Sequence, residues 1–450
     1  MKIAQVVHGF PPELASGGTE RYTQALCQHL TERGHELVVI AGTLGLRSEI
    51  DIEDDHSHGF RVLRLHRDDI YFERWDKSWH PGVSKRFAEI IETERPDIVH
   101  VQHWFRLSRD LIRQVNRLGI PAIATLHDFF STCPTAFRLL PDHSFCTDPI
   151  LPTTCNRCLA TDFWWGEDEL ARGLQLYRDD FINEFELANR VLVLSGSHGH
   201  SLAQATGIDD SRFLSHPFRS WHKLSHAPQP SPPPPLRLAT WGHQAPYKGS
   251  DLLLEAIAKM RHRDDVTLDI FGDCSDAEFS TRLDELARGL AVTRHGAFES
   301  SDLESLECHL AIFPSKANET YGFVLDEAQM LGWPTLVSDL GAYPERIGGS
   351  GESFSPTDVQ GLASRLDALL DDPTRLSAMR EACQPPGEFE DNVDFLEDLY
   401  QEVVKEGPSS SIDRFDVEGH LEHEYRRFEA RERLALRHRG IIESREETDE

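Results

Sequence analysis

Two glutamates separated by seven residues, Glu319 and Glu327, mark the segment richest in groups that could do chemistry. Gly322 lies between them, where a helix is predicted to begin, so unpaired backbone amides there would face an anion. Carboxylates on either side can accept hydrogen bonds from hydroxyls, as a carboxylate does from the hydroxyls of a ribose. The pattern therefore suits a nucleotide sugar, with its diphosphate on the amides and its hydroxyls on the carboxylates.

Two glycine-containing loops precede this segment, each between a predicted strand and a predicted helix. The first contains Gly17 and Gly18, and the second runs from Gly242 to Gly249. Glycine lets the backbone approach a ligand, and the helix that follows offers free amides to an anion. Lys248 would meet a diphosphate, and His243 could face the same anion. Each loop taken alone is equally typical of a tight turn without a ligand.

Four of the eight cysteines fall close together in a segment that is rich in proline and aromatic residues: Cys133, Cys146, Cys155 and Cys158. The last two form a Cys-x2-Cys pair, and four thiolates can hold a tetrahedral zinc ion. Such a zinc would be structural, because four sulfurs leave no open position. Free thiols or an occasional disulfide are the alternatives. Eight cysteines are too few for a disulfide scaffold, so we expect a cytoplasmic protein.

The elements that must position these residues alternate along the first part of the chain. Apolar runs predict strands, and a helix is predicted over 20–32 with Gly34 just beyond its end. Alternating strands and helices imply a parallel sheet covered on both faces. The strands predicted here are 3–7, 36–41, 60–65, 97–102, 121–126 and 191–194.

A proline-rich segment, 228–235, separates this series from a second one with predicted strands at 236–241, 267–271, 310–313 and 335–338. Proline donates no ladder hydrogen bond and stiffens the chain, so the segment is predicted to be a linker. We therefore predict an α/β protein of two doubly wound, Rossmann-like domains that face a cleft. Their bounds are 1–227, with a Cys-rich insert at 133–158, and 236–385. A helix over 386–405 is expected to return to the first domain, and 406–450 to form a charged helical or disordered tail.

The charge balance limits the partners. The 450 residues carry 46 Lys and Arg against 76 Asp and Glu, a net charge of −30. This excess disfavours nucleic acid and anionic membrane surfaces, which attract basic proteins. No apolar stretch reaches the roughly 18 residues that a membrane span requires. The start at Met1 lacks the pattern of a signal peptide. We expect membrane contact to be peripheral at most.

The string 318–328 resembles the Glu-x7-Glu signature of retaining glycosyltransferases with the GT-B fold, in particular the family 4 type. Further segments occur in the order typical of that family, over roughly residues 1–405. They are Gly17-Gly18-Thr19-Glu20, Leu126-His127-Asp128, Gly242 through Lys248-Gly249, Leu331-Gly332-Trp333-Pro334 and Gly341-Ala342-Tyr343-Pro344-Glu345.

The resemblance implies a role for each site residue. Catalytic roles fall to Lys248, which would neutralise the donor diphosphate, to Glu319, which would bind the transferred sugar, and to His127, near the reacting carbon. Glu327 would bind the ribose hydroxyls. His243, which the resemblance also assigns to donor binding, stands where the family usually has arginine, and this weakens the case for a second fixed cation. The remaining donor-binding residues implied by the resemblance are Gly17, Gly18, Gly322, Phe323 and Val324.

The implied reaction is transfer of a sugar from a nucleotide-diphosphate donor, UDP or GDP, with retention at the anomeric carbon. The acceptor, whether a glycan, a lipid or a small molecule, is not encoded in these motifs. The sequence contains no Asp-x-Asp, so no catalytic metal or other cofactor is expected.

Three alternatives remain open from the sequence. They are a nucleotide-sugar epimerase of the same fold, a non-catalytic nucleotide-sugar-binding regulator, and a dinucleotide-dependent oxidoreductase. The last would need Gly-x-Gly-x-x-Gly after the first strand, which the chain does not supply.

Overall fold

The computed structural model describes residues 1–14, 17–69, 72–159, 166–411, 413, 425–426, 429–430, 432–434 and 436. Their strands form two separate sheets, one from each half of the chain. We call the part built on the first sheet the first lobe and the part built on the second sheet the second lobe. The predicted tail, 406–450, lies largely outside the described residues.

The first sheet has eight strands in the spatial order β3-β4-β2-β1-β5-β6-β7-β8. Neighbouring strands are parallel except for β3 and β4, which pair antiparallel. The strands are β1 (Lys2–Val7), β2 (Glu36–Leu46), β3 (Asp51–Asp55), β4 (Arg61–Arg67), β5 (Ile98–Val101), β6 (Ala122–Leu126), β7 (Arg190–Val193) and β8 (Phe213–Ser215).

The second sheet has six parallel strands in the order β11-β10-β9-β12-β13-β14. They are β9 (Leu236–Trp241), β10 (Val266–Phe271), β11 (Val292–Gly296), β12 (Leu310–Phe313), β13 (Thr335–Ser338) and β14 (Gly351–Phe354).

Helices cover both faces of each sheet. Those of the first lobe are α1 (Gly18–Glu32), α2 (Pro81–Glu94), α3 (Leu111–Arg117), α4 (Pro152–Cys155), α5 (Glu167–Leu187) and α6 (Gly196–Thr206). Those that follow are α7 (Ser250–Ala258), α8 (Ala277–Leu286), α9 (Phe323–Leu331), α10 (Tyr343–Arg346), α11 (Val359–Asp371), α12 (Thr374–Glu381) and α13 (Phe389–Glu406).

The central strand β1 shows why the sheet needs two helical layers. Ala4 and Val6 join one buried cluster, whereas Ile3 and Val7 join another. Successive side chains of a strand point to opposite faces, so a strand that is buried at every position from Ile3 to Val7 must be covered on both faces. The predicted class, two doubly wound lobes facing a cleft, is confirmed.

Four strands were not predicted: β3, β8, β11 and β14. The strand β3 reads Asp-Ile-Glu-Asp-Asp and lies at an edge of its sheet, where it faces solvent. The strand β11 is likewise an edge strand with no fully buried residue. Edge strands carry little apolar pattern because few of their side chains are buried, so the sequence gives no strong signal for them.

The last helix, α13, packs against the first lobe although it follows the second. Val393 and Leu396 join the same cluster as Ile3 and Val7. Tyr400 places its hydroxyl 2.7 Å from Nδ1 of His100 on β5. The chain therefore crosses between the lobes twice, and the two crossings run side by side, because residues 220–224 and 385–389 line one small cavity.

Among the described residues, no helix is long and apolar enough to cross a membrane.

Candidate active site

A cavity of about 460 Å³ lies between the lobes, at the carboxyl ends of both sheets. Parallel sheets bind ligands at this edge, where strand ends and helix starts converge. The cavity wall includes every residue that the sequence assigned to catalysis or donor binding except Glu327. These residues are Gly17, Gly18, His127, His243, Lys248, Glu319, Gly322, Phe323 and Val324.

Lys248 and Glu319 form an ion pair on this wall, with Nζ and Oε1 2.7 Å apart. Ser315 donates a second hydrogen bond to the same Glu319 oxygen at 3.0 Å. Burial lowers the pKa of Lys248, but the adjacent Glu319 carboxylate more than offsets this, so the pKa is raised above its ordinary value. The lysine therefore carries its positive charge at neutral pH, on the wall of the cavity.

Glycines bring this pair together. Gly249 has φ +77°, and a Cβ atom there would lie 1.9 Å from the carbonyl oxygen of Pro314, so the Lys248 loop can lie directly on the end of β12. Gly341 has φ +62° and lies against the backbone of Glu319 in the same way. Residues with a Cβ atom rarely adopt this left-handed conformation, and here they would also clash.

Two helices from opposite lobes begin at the cavity. Gly322 precedes α9 with φ +82°, and Gly18 is the first residue of α1. The two helix starts touch, because a Cβ atom at Gly18 would lie 3.1 Å from the ring of Phe323. Arg346 supports the second one by donating to the carbonyl oxygens of Tyr321 and Gly322, at 2.8 and 3.0 Å. The amides at two helix starts give this part of the wall a positive potential.

His127 lies at the end of β6 on the first-lobe side of the cavity. Its Nε2 atom is 2.7 Å from Oε1 of Gln102, which follows the neighbouring strand β5. Burial and the adjacent His103 lower the pKa of His127 well below its ordinary value. The imidazole is therefore neutral and a weak base at physiological pH.

Glu327 lies one turn into α9, buried behind the cavity wall with 5 % of its surface exposed. Trp241 donates its indole N–H to Oε2 at 2.5 Å, and Ser300 donates to Oε1 at 2.8 Å. His222 places Nδ1 2.7 Å from the same Oε1. Trp241 itself lines the cavity, so Glu327 is separated from the cavity by the Trp241 indole that it holds in place.

His243 is exposed at the cavity mouth, where its Nε2 atom is 3.5 Å from the Ser275 hydroxyl.

The cavity also contains side chains to which the sequence analysis assigned no role, although they lie within the quoted motifs. Asn318 has a buried Oδ1 atom that, among the described residues, finds no hydrogen-bond partner. Asp128 lies 3.2 Å from Nε2 of His103; burial raises the pKa of this carboxyl, but the histidine outweighs that effect and leaves it lowered. These residues occupy strand ends and the loop next to Glu319, and that position is the signal that could have identified them.

Polar contacts between the lobes surround the cavity. Glu345 accepts hydrogen bonds from the amides of Gly196 and Ser197, at 3.1 and 2.6 Å, where α6 begins. Thr320 donates its hydroxyl to the carbonyl oxygen of His127 at 2.7 Å. The Glu319–Thr320 loop of the second lobe is thus tied to the end of β6 in the first.

The four clustered cysteines lie on the first lobe beside the cavity and are all half-buried free thiols. No three of them bring their sulfurs within 4.8 Å of one another; among the described residues, only Asp68, Asp69 and His80 form a group of that kind. Asp69 is already paired with the buried Arg67.

Family models match both lobes in chain order. A model of Glycosyltransferase Family 4 matches residues 16–214, and one of Glycosyl transferases group 1 matches residues 236–372. The chain belongs to the family 4 glycosyltransferases. The resemblance noted in the sequence is therefore confirmed, and the protein is a sugar-transferring enzyme.

Two curated relatives of this glycosyltransferase are similar over most of their length. Glycogen synthase of Mycobacterium tuberculosis is 25 % identical over 415 residues, which cover 85 % of this chain and 88 % of the relative. An MMP alpha-(1->4)-mannosyltransferase of Mycolicibacterium hassiacum is 24 % identical over 395 residues, which cover 80 % and 87 %.

Solved structures show that the family 4 enzyme has the GT-B fold. A sucrose-phosphate synthase from Thermosynechococcus elongatus superposes with a TM-score of 0.66 at 18 % identity, covering 90 % of this chain and 99 % of that one. Anabaena HepE, solved in complex with UDP and glucose, superposes with a TM-score of 0.58 at 17 % identity, covering 89 % and 100 %.

Proposed function

We propose that this glycosyltransferase transfers a sugar from a nucleotide-diphosphate sugar, with UDP or GDP as the nucleotide, and retains the anomeric configuration. The acceptor would bind on the first-lobe side of the cavity. The observation that carries the proposal is the Lys248–Glu319 pair, which faces two helix starts across one cavity. Relatives solved with UDP and with ADP support a nucleotide donor.

The donor diphosphate would replace Glu319 as the ion-pair partner of Lys248. In this structure the charge is neutralised by Glu319, 2.7 Å away. A diphosphate bound at the amides of Gly322 and Phe323 would attract the ammonium and release the carboxylate. Glu319 would then accept a hydrogen bond from the transferred sugar, and the buried Oδ1 of Asn318 would accept another. Fixed positive groups of this kind stabilise the charge that develops on a leaving diphosphate.

In the proposed transfer step, no protein side chain acts as the base that accepts the acceptor proton. The bond between the anomeric carbon and the diphosphate oxygen breaks, and a bond from that carbon to the acceptor oxygen forms on the same face. The acceptor hydroxyl proton passes to the departing diphosphate, because the lowered pKa of His127 makes it a weak base. His127 would instead orient the sugar.

We further propose that the reaction needs no catalytic metal and takes place in the cytoplasm. Lys248 and the two helix starts supply positive charge that a divalent ion otherwise provides. Free thiols throughout the described chain suit a reducing compartment.

Calorimetric binding of UDP, GDP, ADP and NAD tests the donor site. We expect one nucleoside diphosphate to bind, and Glu327→Ala to weaken this binding by about 1–3 kcal/mol, because the variant removes the charged hydrogen bond that positions Trp241 on the cavity wall. Best binding by NAD, or no binding by any diphosphate, would contradict the proposal.

Turnover assays separate the remaining alternatives. We expect sugar transfer to be lost in Glu319→Ala. We also expect transfer by the wild-type protein to persist when a chelator is present, in an assay that measures the protein-bound metal at the same time. Interconversion of the donor sugar without an acceptor would indicate an epimerase, and binding without turnover would indicate a regulator.

A further inference from the structure

The Cys-rich insert, residues 133–158, folds back on itself around Arg138. The guanidinium of Arg138 is buried and donates to the carbonyl oxygens of Thr132 and Cys146, each at 2.9 Å. Cys146 in turn donates its amide to the carbonyl oxygen of Arg138 at 2.6 Å. These bonds hold the chain just before Cys133 beside the chain at Cys146, although thirteen positions separate the two cysteines.

The Cys-x2-Cys pair approaches the same place from the other end of the insert. Cys155 ends α4, and Cys158 follows in a turn in which its amide donates to the carbonyl oxygen of Cys155 at 3.0 Å. The Cys158 thiol lies 3.8 Å from the carbonyl oxygen of Leu139. Leu139 forms an antiparallel bridge with Phe145, the residue before Cys146. All four cysteines therefore gather around this bridge.

None of the four is oxidised to a disulfide.

We propose that Cys133, Cys146, Cys155 and Cys158 bind one structural zinc ion. Four sulfurs, two of them in a Cys-x2-Cys pair, are the ligand set of a closed tetrahedral zinc site. A Zn–S bond of about 2.3 Å places the sulfurs about 3.8 Å apart. Because no three sulfurs lie within 4.8 Å of one another, the insert must contract around the ion.

The zinc ion would fix one wall of the donor cavity. Ala136 and Phe137 lie between the first two cysteines and line the cavity. Phe137 is 45 % exposed and stacks on Tyr247 of the second lobe, with the ring centroids 5.0 Å apart. The residue after Tyr247 is Lys248. A metal-ordered insert would therefore hold an aromatic contact next to the diphosphate-binding lysine.

Metal analysis of the full-length protein, purified with a reductant and without added metal, tests the site directly. We expect about one zinc per chain. We expect Cys146→Ser and Cys158→Ser to lose most of it, whereas Cys274→Ser and Cys383→Ser, which alter half-buried cysteines elsewhere, retain it. A zinc content far below one per chain, or iron with inorganic sulfide in its place, would overturn the proposal.

A second measurement applies if the serine variants do not fold. Titration of the wild-type protein with a mercurial thiol reagent should release zinc to a colorimetric indicator in step with modification of the four thiols. Cobalt exchanged into the site should give the absorption bands of tetrahedral thiolate coordination. Absence of both signals would also overturn the proposal. Either readout is independent of whether the enzyme uses the donor proposed above.

Discussion

The backbone of Glu319 lies directly against Gly341, such that a Cβ atom at residue 341 would be 2.3 Å from the Glu319 carbonyl oxygen. We therefore expect Gly341→Ala to displace Glu319 and to lower kcat strongly. Gly348→Ala is a matched control, because Gly348 also has positive φ but a Cβ atom there would meet open space.

Both alanines should cost about 1–2 kcal/mol of stability from left-handed strain. Only Gly341→Ala should impair turnover. Steady-state kinetics and urea unfolding of the two variants make the comparison, and equal activity in both would show that the position of Glu319 is not critical.

Lys248 should act mainly on the chemical step. Lys248→Met removes the cation that faces the leaving diphosphate, and we expect kcat to fall by about 10²–10³-fold, as for other preorganised charges. Lys316→Met is the control, because Lys316 forms a similar ion pair with Asp251, 2.8 Å away, in the same lobe. A comparable loss of kcat in the control would point to general destabilisation of the lobe.

Stability should decline in mild acid because buried histidines are neutral in the folded protein. Burial lowers the pKa of both His198 and His216 to about 4, against about 6.5 in an unfolded chain. Between these values the unfolded state binds more protons, so the free energy of unfolding falls as the pH falls from about 6.5 to 4. Each group contributes about 1.4 kcal/mol per pH unit.

Urea unfolding midpoints measured across this pH range provide the test. His198→Gln should make the pH dependence shallower, whereas His200→Gln, at an exposed position of the same helix, should leave it unchanged. An identical pH profile in the wild-type protein and the two variants would show that His198 does not contribute to the loss of stability in acid.

Glu345 should govern how the lobes meet. Its carboxylate caps α6 of the opposite lobe through Gly196 and Ser197, a contact of the type worth about 1 kcal/mol. We expect Glu345→Ala to raise the donor KM several-fold and to broaden the solution scattering profile. Glu381→Ala, at an exposed position in the same lobe, should do neither. Unchanged scattering together with an unchanged KM would mean that the cap has no role in closure.

The sequence predicted the central elements of the fold because their strands are mostly apolar, as at Ile3 to Val7, where only Gln5 is polar. It missed the polar edge strand β3, which is defined by pairing with β4 and not by burial. Both doubly wound lobes follow from the alternation of strands and helices, whereas the edges of the sheets depend on tertiary contacts.

The candidate site likewise contains some features that the sequence predicts and others that depend on tertiary contacts. Motif spacing identified Glu319 and Lys248 separately, and their placement on one wall follows from parallel strands that end at one edge. The environment of Glu327 was not predictable, because Trp241, Ser300 and His222 reach it from three distant segments. No local pattern specifies such partners, since only the tertiary structure brings these separate segments together.

The return of α13 to the first lobe has a mechanical consequence. Two connecting segments join the lobes and lie side by side, near residues 220–224 and 385–389. A single connection would allow one lobe to rotate relative to the other about any axis. Two adjacent connections restrict this rotation to one axis, which passes through both of them. We therefore expect the gap between the lobes to open widest at the edge opposite these connections, where substrates would enter and products leave.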